Sequence, residues 1–258
     1  MLGRCHECIT KRLLAATIAT SILVLTGMHA NAAATPAMVA AATAASPAPA
    51  ASPTPTPTPT PVTSRQLPVP VYYQAYTLSC EEAALRMALA YEGIAVTDAR
   101  VLAIIGVDWS AASYDGSGLR WGDPYTAFVG NPGGSEVAMT GYGTYYPNIA
   151  RAAAALGGMV LRAGEGISAA DLYAAVLDGH PVVAWITYQW VTAQRSDYVA
   201  FDGRTIPYAG PVEHAITVVG VTPTTVTVND PDFGQYTVSK TAFESSYATY
   251  NQMAVVIS

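Results

Sequence analysis

Cysteine, histidine and positive charge are all scarce in this chain. Its 258 residues hold three cysteines and four histidines. Cys5 and Cys8, in Cys5-His6-Glu7-Cys8, have a spacing suited to a metal or redox site. No second ligand pair follows, and a structural zinc site needs about four ligands. No metal and no cofactor is therefore expected. Beyond residue 32 the one cysteine left is Cys80, so an internal disulfide is excluded there. Without residues 1–32, which include Arg4, Glu7, Lys11 and Arg12, the basic count falls from 12 to 9. The acidic count falls from 18 to 17, and the net charge becomes −8. No basic cluster survives, which argues against nucleic acid or an anionic membrane surface as partner. Beyond the Thr/Pro tract described next, no internal repeat is present.

Residues 13–28 form an apolar run after a basic start. Its length of about 16 residues is short of the roughly 20 that span a bilayer. Ala30-Asn31-Ala32 follows as a small-x-small site. Residues 1–32 thus read as an export signal cleaved near Ala32, with a retained anchor as the alternative. Residues 33–64 are Ala-rich and then Pro-alternating, from Pro53 to Pro61. They have little apolar surface to bury and favour an extended spacer, which could tether the domain to the cell envelope. Residues 65–258 are long enough for one domain with its own core.

Helical spacing of Ala84, Leu85, Ala88 and Leu89 predicts a first helix over 80–91. Ser79 and Glu82 have the spacing of a capping box, and Gly93 is a natural stop. A second helix is expected over 97–105, capped by Thr97 or Asp98. Residues 106–147 read as a long loop rich in aromatics, among them Trp109, Tyr114, Trp121, Tyr125, Tyr142, Tyr145 and Tyr146. Such aromatics either line a cleft or pack the loop onto the core. Further helices are expected over 148–156 and 168–178, the latter capped by Ser168. Strands follow at 181–188, 214–221, 225–229, 234–239 and 254–257. Helices before an antiparallel sheet make the fold class α+β.

Four residues have the chemistry of a cysteine-nucleophile site: Cys80, His214, Asp230 and Gln74. Cys80 falls at a helix start, where the dipole favours a thiolate. Glu81 opposes this if it points at the sulfur. Cys80 is thus either a reactive thiol or a buried apolar filler. His214 opens one apolar strand and Asp230 closes the next, so a hairpin brings them to the same end of a sheet. Their distances from the turn differ by about three residues, on the order of 10 Å, so a bend must close the gap. His180, before Pro181, reads as a turn residue. Gln74, six residues before Cys80, can offer an amide N–H beside the Cys80 backbone N–H.

Gln74-x5-Cys80, the run from His214 to Gly220, Asn229-Asp230-Pro231, Gly141-Tyr142-Gly143 and Gly179-x-Pro181-Val182-Val183 together resemble the C39-like branch of the papain-type cysteine peptidases. The resemblance spans about residues 67–257. It implies a papain-like fold, its N-terminal helical half carrying the nucleophile helix packed on a C-terminal antiparallel sheet. It also implies Cys80 as nucleophile, His214 as base, Asp230 as the carboxylate that orients it, and Gln74 in the oxyanion hole. Relatives that process double-glycine leaders often carry Gly where this chain has Glu81, so leader processing is not expected. The function expected is an exported peptidase acting on a peptide or protein substrate. The alternatives are an inactive binding module for peptide or glycan, and an acyl-transferase using the same residues.

Overall fold

The structure, a computed structural model, describes residues 62–258. The 1–32 segment with Cys5 and Cys8, and all but the last residues of the 33–64 spacer, lie outside the described residues. In chain order the first elements are strand β1 (Arg65–Gln66), helix α1 (Cys80–Tyr91) and helix α2 (Asp98–Ile105). Four short strands follow, β2 (Val107–Asp108), β3 (Ser113–Asp115), β4 (Gly118–Trp121) and β5 (Phe128–Val129). Then come α3 (Tyr146–Ala155), β6 (Val160–Gly164), α4 (Ala169–Asp178) and β7 (Val182–Thr187). The chain closes with β8 (Tyr198–Ala200), β9 (Thr205–Ile206), β10 (Glu213–Val221), β11 (Thr225–Asp230), β12 (Gly234–Ser239), α5 (Lys240–Ala248) and β13 (Ala254–Ile257).

The main sheet has seven strands in the order β12-β11-β10-β7-β13-β6, with β1 also paired to β10. Its pairings are antiparallel throughout. Helices cover both faces. Val183 and Trp185 enter one core with Ala84, Leu85, Ala88 and Leu89 of α1, and with residues of α2 and α3. Val182, Ala184 and Ile186 enter a second core with Leu172 and Val176 of α4 and Phe243 and Tyr247 of α5. A strand buried on both faces reads as an unbroken apolar run rather than an alternating one. All six residues of β7 and all nine of β10 are buried. Each large aliphatic side chain so buried contributes about 1.5–3 kcal/mol.

The expected helices form, with two corrections at their starts. Helix α3 begins two residues early, with Pro147 in its first turn. The Ser79–Glu82 capping box does not form. Ser79 has φ −100° and ψ 37°, outside the extended geometry a cap needs. Its hydroxyl accepts from the Tyr76 amide and donates to Asp98 Oδ2 instead. Thr97 caps α2 and Ser168 caps α4 as expected.

The region 106–147 is not structureless. Strand β2 pairs with β5, and β3 and β4 join β8 and β9 in a separate small sheet. Trp121, Tyr142 and Tyr145 are buried in the first core, whereas Trp109 and Tyr114 are exposed. Strand β6 and helix α5 are further elements that the sequence reading did not include. Strand β6 pairs with β13 at the edge of the main sheet, and α5 shares the second core with α4.

The β10–β11 hairpin contains the feature that sets the site. Val221 faces Val226 and Gly220 faces Thr227, but Val218 faces Val228 and Thr217 faces Asn229. One extra residue, Val219, is accommodated as a bulge. Continuing the inner register sets Asp230 opposite Ile216, two residues from His214. An offset of two keeps both side chains on one face; an offset of three would put them on opposite faces.

Candidate active site

Helix α1 presents Cys80 at its first turn. Being the first helical residue, Cys80 has a backbone N–H with no partner inside the helix. The loop before it is pinned by Asp98, whose Oδ2 accepts from the Ala75 amide and the Ser79 hydroxyl, while Oδ1 faces Arg86 at 3.4 Å. The helix is tied to the sheet by Thr217, whose buried hydroxyl donates to the Ala84 carbonyl at 2.8 Å.

The sulfur of Cys80 meets the residues on both sides of His214. It lies 4.0 Å from Glu213 Oε2, and the Ala215 backbone N–H acts to lower the thiol pKa. Cys80 and His214 line one cavity of about 230 Å³ together with Gln74. His214 Nε2 sits 2.9 Å from Asp230 Oδ1. With that nitrogen engaged, Nδ1 is the basic nitrogen of the neutral ring. Tyr188 packs edge-on against the imidazole, with ring centroids 5.2 Å apart.

Asp230 is held from several sides. Oδ1 also accepts from the amides of Asp232 and Phe233, and Oδ2 accepts from the Tyr236 hydroxyl at 2.7 Å. Burial alone would raise its pKa. The bond to His214, with those of Tyr236 and the Asp232 amide, outweighs burial and holds it below the usual value. Asp230 is therefore an anion facing the imidazole, the arrangement that fixes a tautomer and stabilises an imidazolium.

Gln74 reaches the cavity from the other wall. Its backbone N–H donates to the Pro231 carbonyl, next to Asp230 in sequence. Its Nε2 donates to the Thr77 carbonyl at 2.7 Å, which leaves one amide hydrogen. Its Oε1 is buried without a partner. So the four expected residues, Cys80, His214, Asp230 and Gln74, converge on one place. His180 is absent from the residues that line this cavity.

The sequence reading missed how acidic these surroundings are. Glu81 is fully buried; its Oε1 accepts from the Thr144 amide and its Oε2 from the Cys80 thiol at 3.3 Å. Glu82 is buried with neither oxygen partnered, and Glu213 with Oε1 unpartnered. Glu136 Oε2 accepts from the Glu213 amide. Burial pushes Glu81 up to about 7 and raises Glu82, Glu136 and Glu213 well above the usual carboxylate range. Burial first, and then the charges of Glu81 and Glu213, push the Cys80 thiol well above its ordinary value. The thiolate expected from the helix dipole alone is therefore not the resting state, because desolvation and adjacent carboxylates exceed a term worth about 0.3–1 kcal/mol. Only adjacency in sequence signalled Glu81; Glu136 and Glu213 gave no local signal.

Gly143 belongs to this arrangement. A Cβ there would stand 2.3 Å from Glu81 Oε1 and 3.1 Å from Glu213 Oε2. Glycine lets the 141–144 backbone approach the carboxyls and deliver the Thr144 amide to Glu81. Cys80, Glu81 and Glu213 each offer a donor atom, all within 4.8 Å of one another. That set of three is short of the four donors of a closed zinc site.

Several solved structures are similar to this chain. A Bacillus anthracis protein described as a C39-like peptidase is 24% identical, with a TM-score of 0.61, over 74% of this chain and 94% of its own. The peptidase domain of Streptococcus ComA, a bifunctional ABC transporter of a quorum-sensing pathway, is 14% identical over 73% of this chain and 96% of its own, with a TM-score of 0.44. A double-glycine-motif protease from an AMS/PCAT transporter, solved with its leader peptide, is 16% identical over 74% and 91%, with a TM-score of 0.37. No curated protein matches the chain. The Bacillus structure shows that the α+β fold is that of C39-like peptidase domains. The profile described as "Peptidase_C39 like family" matches residues 66–255, and the chain belongs to that family.

Proposed function

We propose that this protein is an exported cysteine peptidase that hydrolyses amide bonds of a peptide or protein substrate. The observation that carries the reading is the convergence of Cys80, His214 and Gln74 on one cavity, with Asp230 2.9 Å behind the imidazole. Cys80 gives its proton to His214 and attacks the carbonyl carbon, forming a C–S bond. The oxyanion is met by the Cys80 backbone N–H and the remaining Gln74 amide hydrogen. His214 then protonates the leaving amine, the C–N bond breaks, and an acyl-enzyme remains. Water, deprotonated by His214, releases the acid and restores the thiol. Asp230 positions the imidazole throughout. The basic, apolar and small-residue pattern of 1–32 supports export, and the 33–64 spacer supports display at the cell surface.

The carboxyls crowding Cys80 favour one rival reading, a binding module that retains the fold. Incubation of the protein with a proteome-derived peptide library, followed by mass spectrometry of new termini, separates the two. Cleavage by the parent, lost in Cys80→Ala and His214→Ala, supports the peptidase. Cleavage that survives Cys80→Ala, or no cleavage at all, contradicts it. Added glycine amide appearing in the products would mark acyl transfer instead.

A further inference from the structure

The cavity beside Cys80 contains more acceptors and carboxyl groups than the proposed reaction uses. Its lining includes three carboxylic residues, Glu136, Glu213 and Asp232, and no lysine or arginine. The one lining group able to be cationic, His214, is already held by Asp230. Glu213 is 4% exposed, and its Oε1 has no hydrogen-bond partner. Gln74 Oε1, on the same cavity, is likewise buried and unpartnered. A buried acceptor left unpaired is costly, and more so when charged. Both residues line the cavity, and donors brought beside them can satisfy these acceptors while positive charge balances the neighbouring carboxyls.

We infer that this cavity is a subsite for a cationic group, a primary ammonium or guanidinium, so that the preferred substrates carry lysine, arginine or a free amino terminus beside the scissile bond. This deepens the peptidase reading and rests on it. Its volume of about 230 Å³ is below the roughly 300–1,000 Å³ of pockets for drug-sized ligands, and suits one side chain. An ammonium offers three N–H donors and a guanidinium five, so either can serve more than one acceptor of the lining. Burial raises Glu136 and Glu213 above the usual carboxylate range, and a cation seated beside them stabilises their charged forms and is itself paired rather than stranded.

The nucleophile itself reports the field of the cavity without any substrate being identified. Alkyl methanethiosulfonates transfer their sulfenyl group to a thiolate, forming a disulfide and releasing methanesulfinate. Rates at Cys80 are measured at pH 8 in EDTA, which removes metal ions as occupants, with 2-aminoethyl, methyl and 2-sulfonatoethyl reagents. The ammonium-to-sulfonate rate ratio is expected to exceed that of the urea-unfolded chain about a hundredfold, within the range that focused fields produce. Glu213→Gln and Glu136→Gln are each expected to reduce the ratio about fivefold or more, and either variant serves if the other fails to fold. A folded-state ratio within about threefold of the unfolded one, or a ratio unchanged in both variants, overturns the inference. A folded chain inert to all three reagents overturns it too, and the peptidase reading with it. A high ratio together with an uncut peptide library sinks the peptidase reading and, with it, the substrate preference, and leaves only a cavity that accepts a cation. In a library that is cut, termini without enrichment of a basic residue next to the cleaved bond overturn the inference and leave the peptidase standing.

Discussion

His214 Nε2 and Asp230 Oδ1 lie 2.9 Å apart because one bulged residue, Val219, changes the register between their strands. Without it the two would be three residues out of step and on opposite faces. With it they are diagonal neighbours on one face, where backbone separations of about 7–8 Å are bridged by two side chains. The Asp232 and Phe233 amides and the Tyr236 hydroxyl then fix the carboxylate in place.

Asp230→Ala removes the group that holds the ring and its charge. Turnover of a cleaved library peptide is expected to fall about ten-thousandfold, as loss of the orienting carboxylate does in triads. Tyr236→Phe removes one of several holds on Asp230, and a fall of about tenfold or less is expected. Steady-state kcat for both variants checks this order.

Glu81 is raised from 4.5 to about 7 in the folded state. Between those values the unfolded chain has released the proton and the native chain has not. Native stability therefore falls as pH rises from about 4.5 to 7, and stays at the lower level above it. A shift of this size corresponds to about 3 kcal/mol, since one pKa unit is about 1.4 kcal/mol. Glu82, Glu136 and Glu213 are raised as well and act with the same sign. The melting temperature is expected to be higher at pH 5 than at pH 8. In Glu81→Gln the difference should narrow and stability at pH 8 should rise. Calorimetry at both pH values would expose the opposite slope.

The same variant bears on reactivity. Glu81→Gln deletes a negative charge 3.3 Å from the sulfur and leaves an amide that can donate to a thiolate. The pH midpoint of Cys80 alkylation is expected to drop by about one unit or more, a neighbouring charge being able to shift a pKa by 1–3 units. An unmoved midpoint would show that burial alone sets the thiol.

Gly143→Ala places a methyl 2.3 Å from Glu81 Oε1. Overpacking of this kind costs about 1–3 kcal/mol. In Glu81→Ala the obstruction is gone, so the double variant is expected to be less destabilised than the sum of the two. A urea-denaturation cycle measures the coupling, and strict additivity would contradict the contact.

Much of the site was legible in the sequence because its parts sit at element ends that local chemistry marks. Cys80 opens a helix whose apolar face has helical spacing, and His214 opens a strand too apolar to be anything but central. The hairpin placed Asp230 near His214, but the bulge at Val219 was not readable, since nothing in Thr217-Val218-Val219-Gly220 distinguishes a slipped register from a regular one. The capping box failed for a tertiary reason, because Asp98, nineteen residues away, claims the Ser79 hydroxyl. The carboxyl cluster was invisible for the same kind of reason. Glu136 and Glu213 lie 77 residues apart and meet only when β10 docks against the loop that carries Glu136.

The rate of iodoacetamide alkylation of Cys80 at pH 6.5 measures most directly whether His214 acts on the thiol. With His214 as proton acceptor, the rate is expected to fall about tenfold or more in His214→Ala while the variant keeps its fold by circular dichroism. Equal rates in the two proteins would contradict a thiol–imidazole pair and leave Cys80 a buried thiol in an acidic cavity.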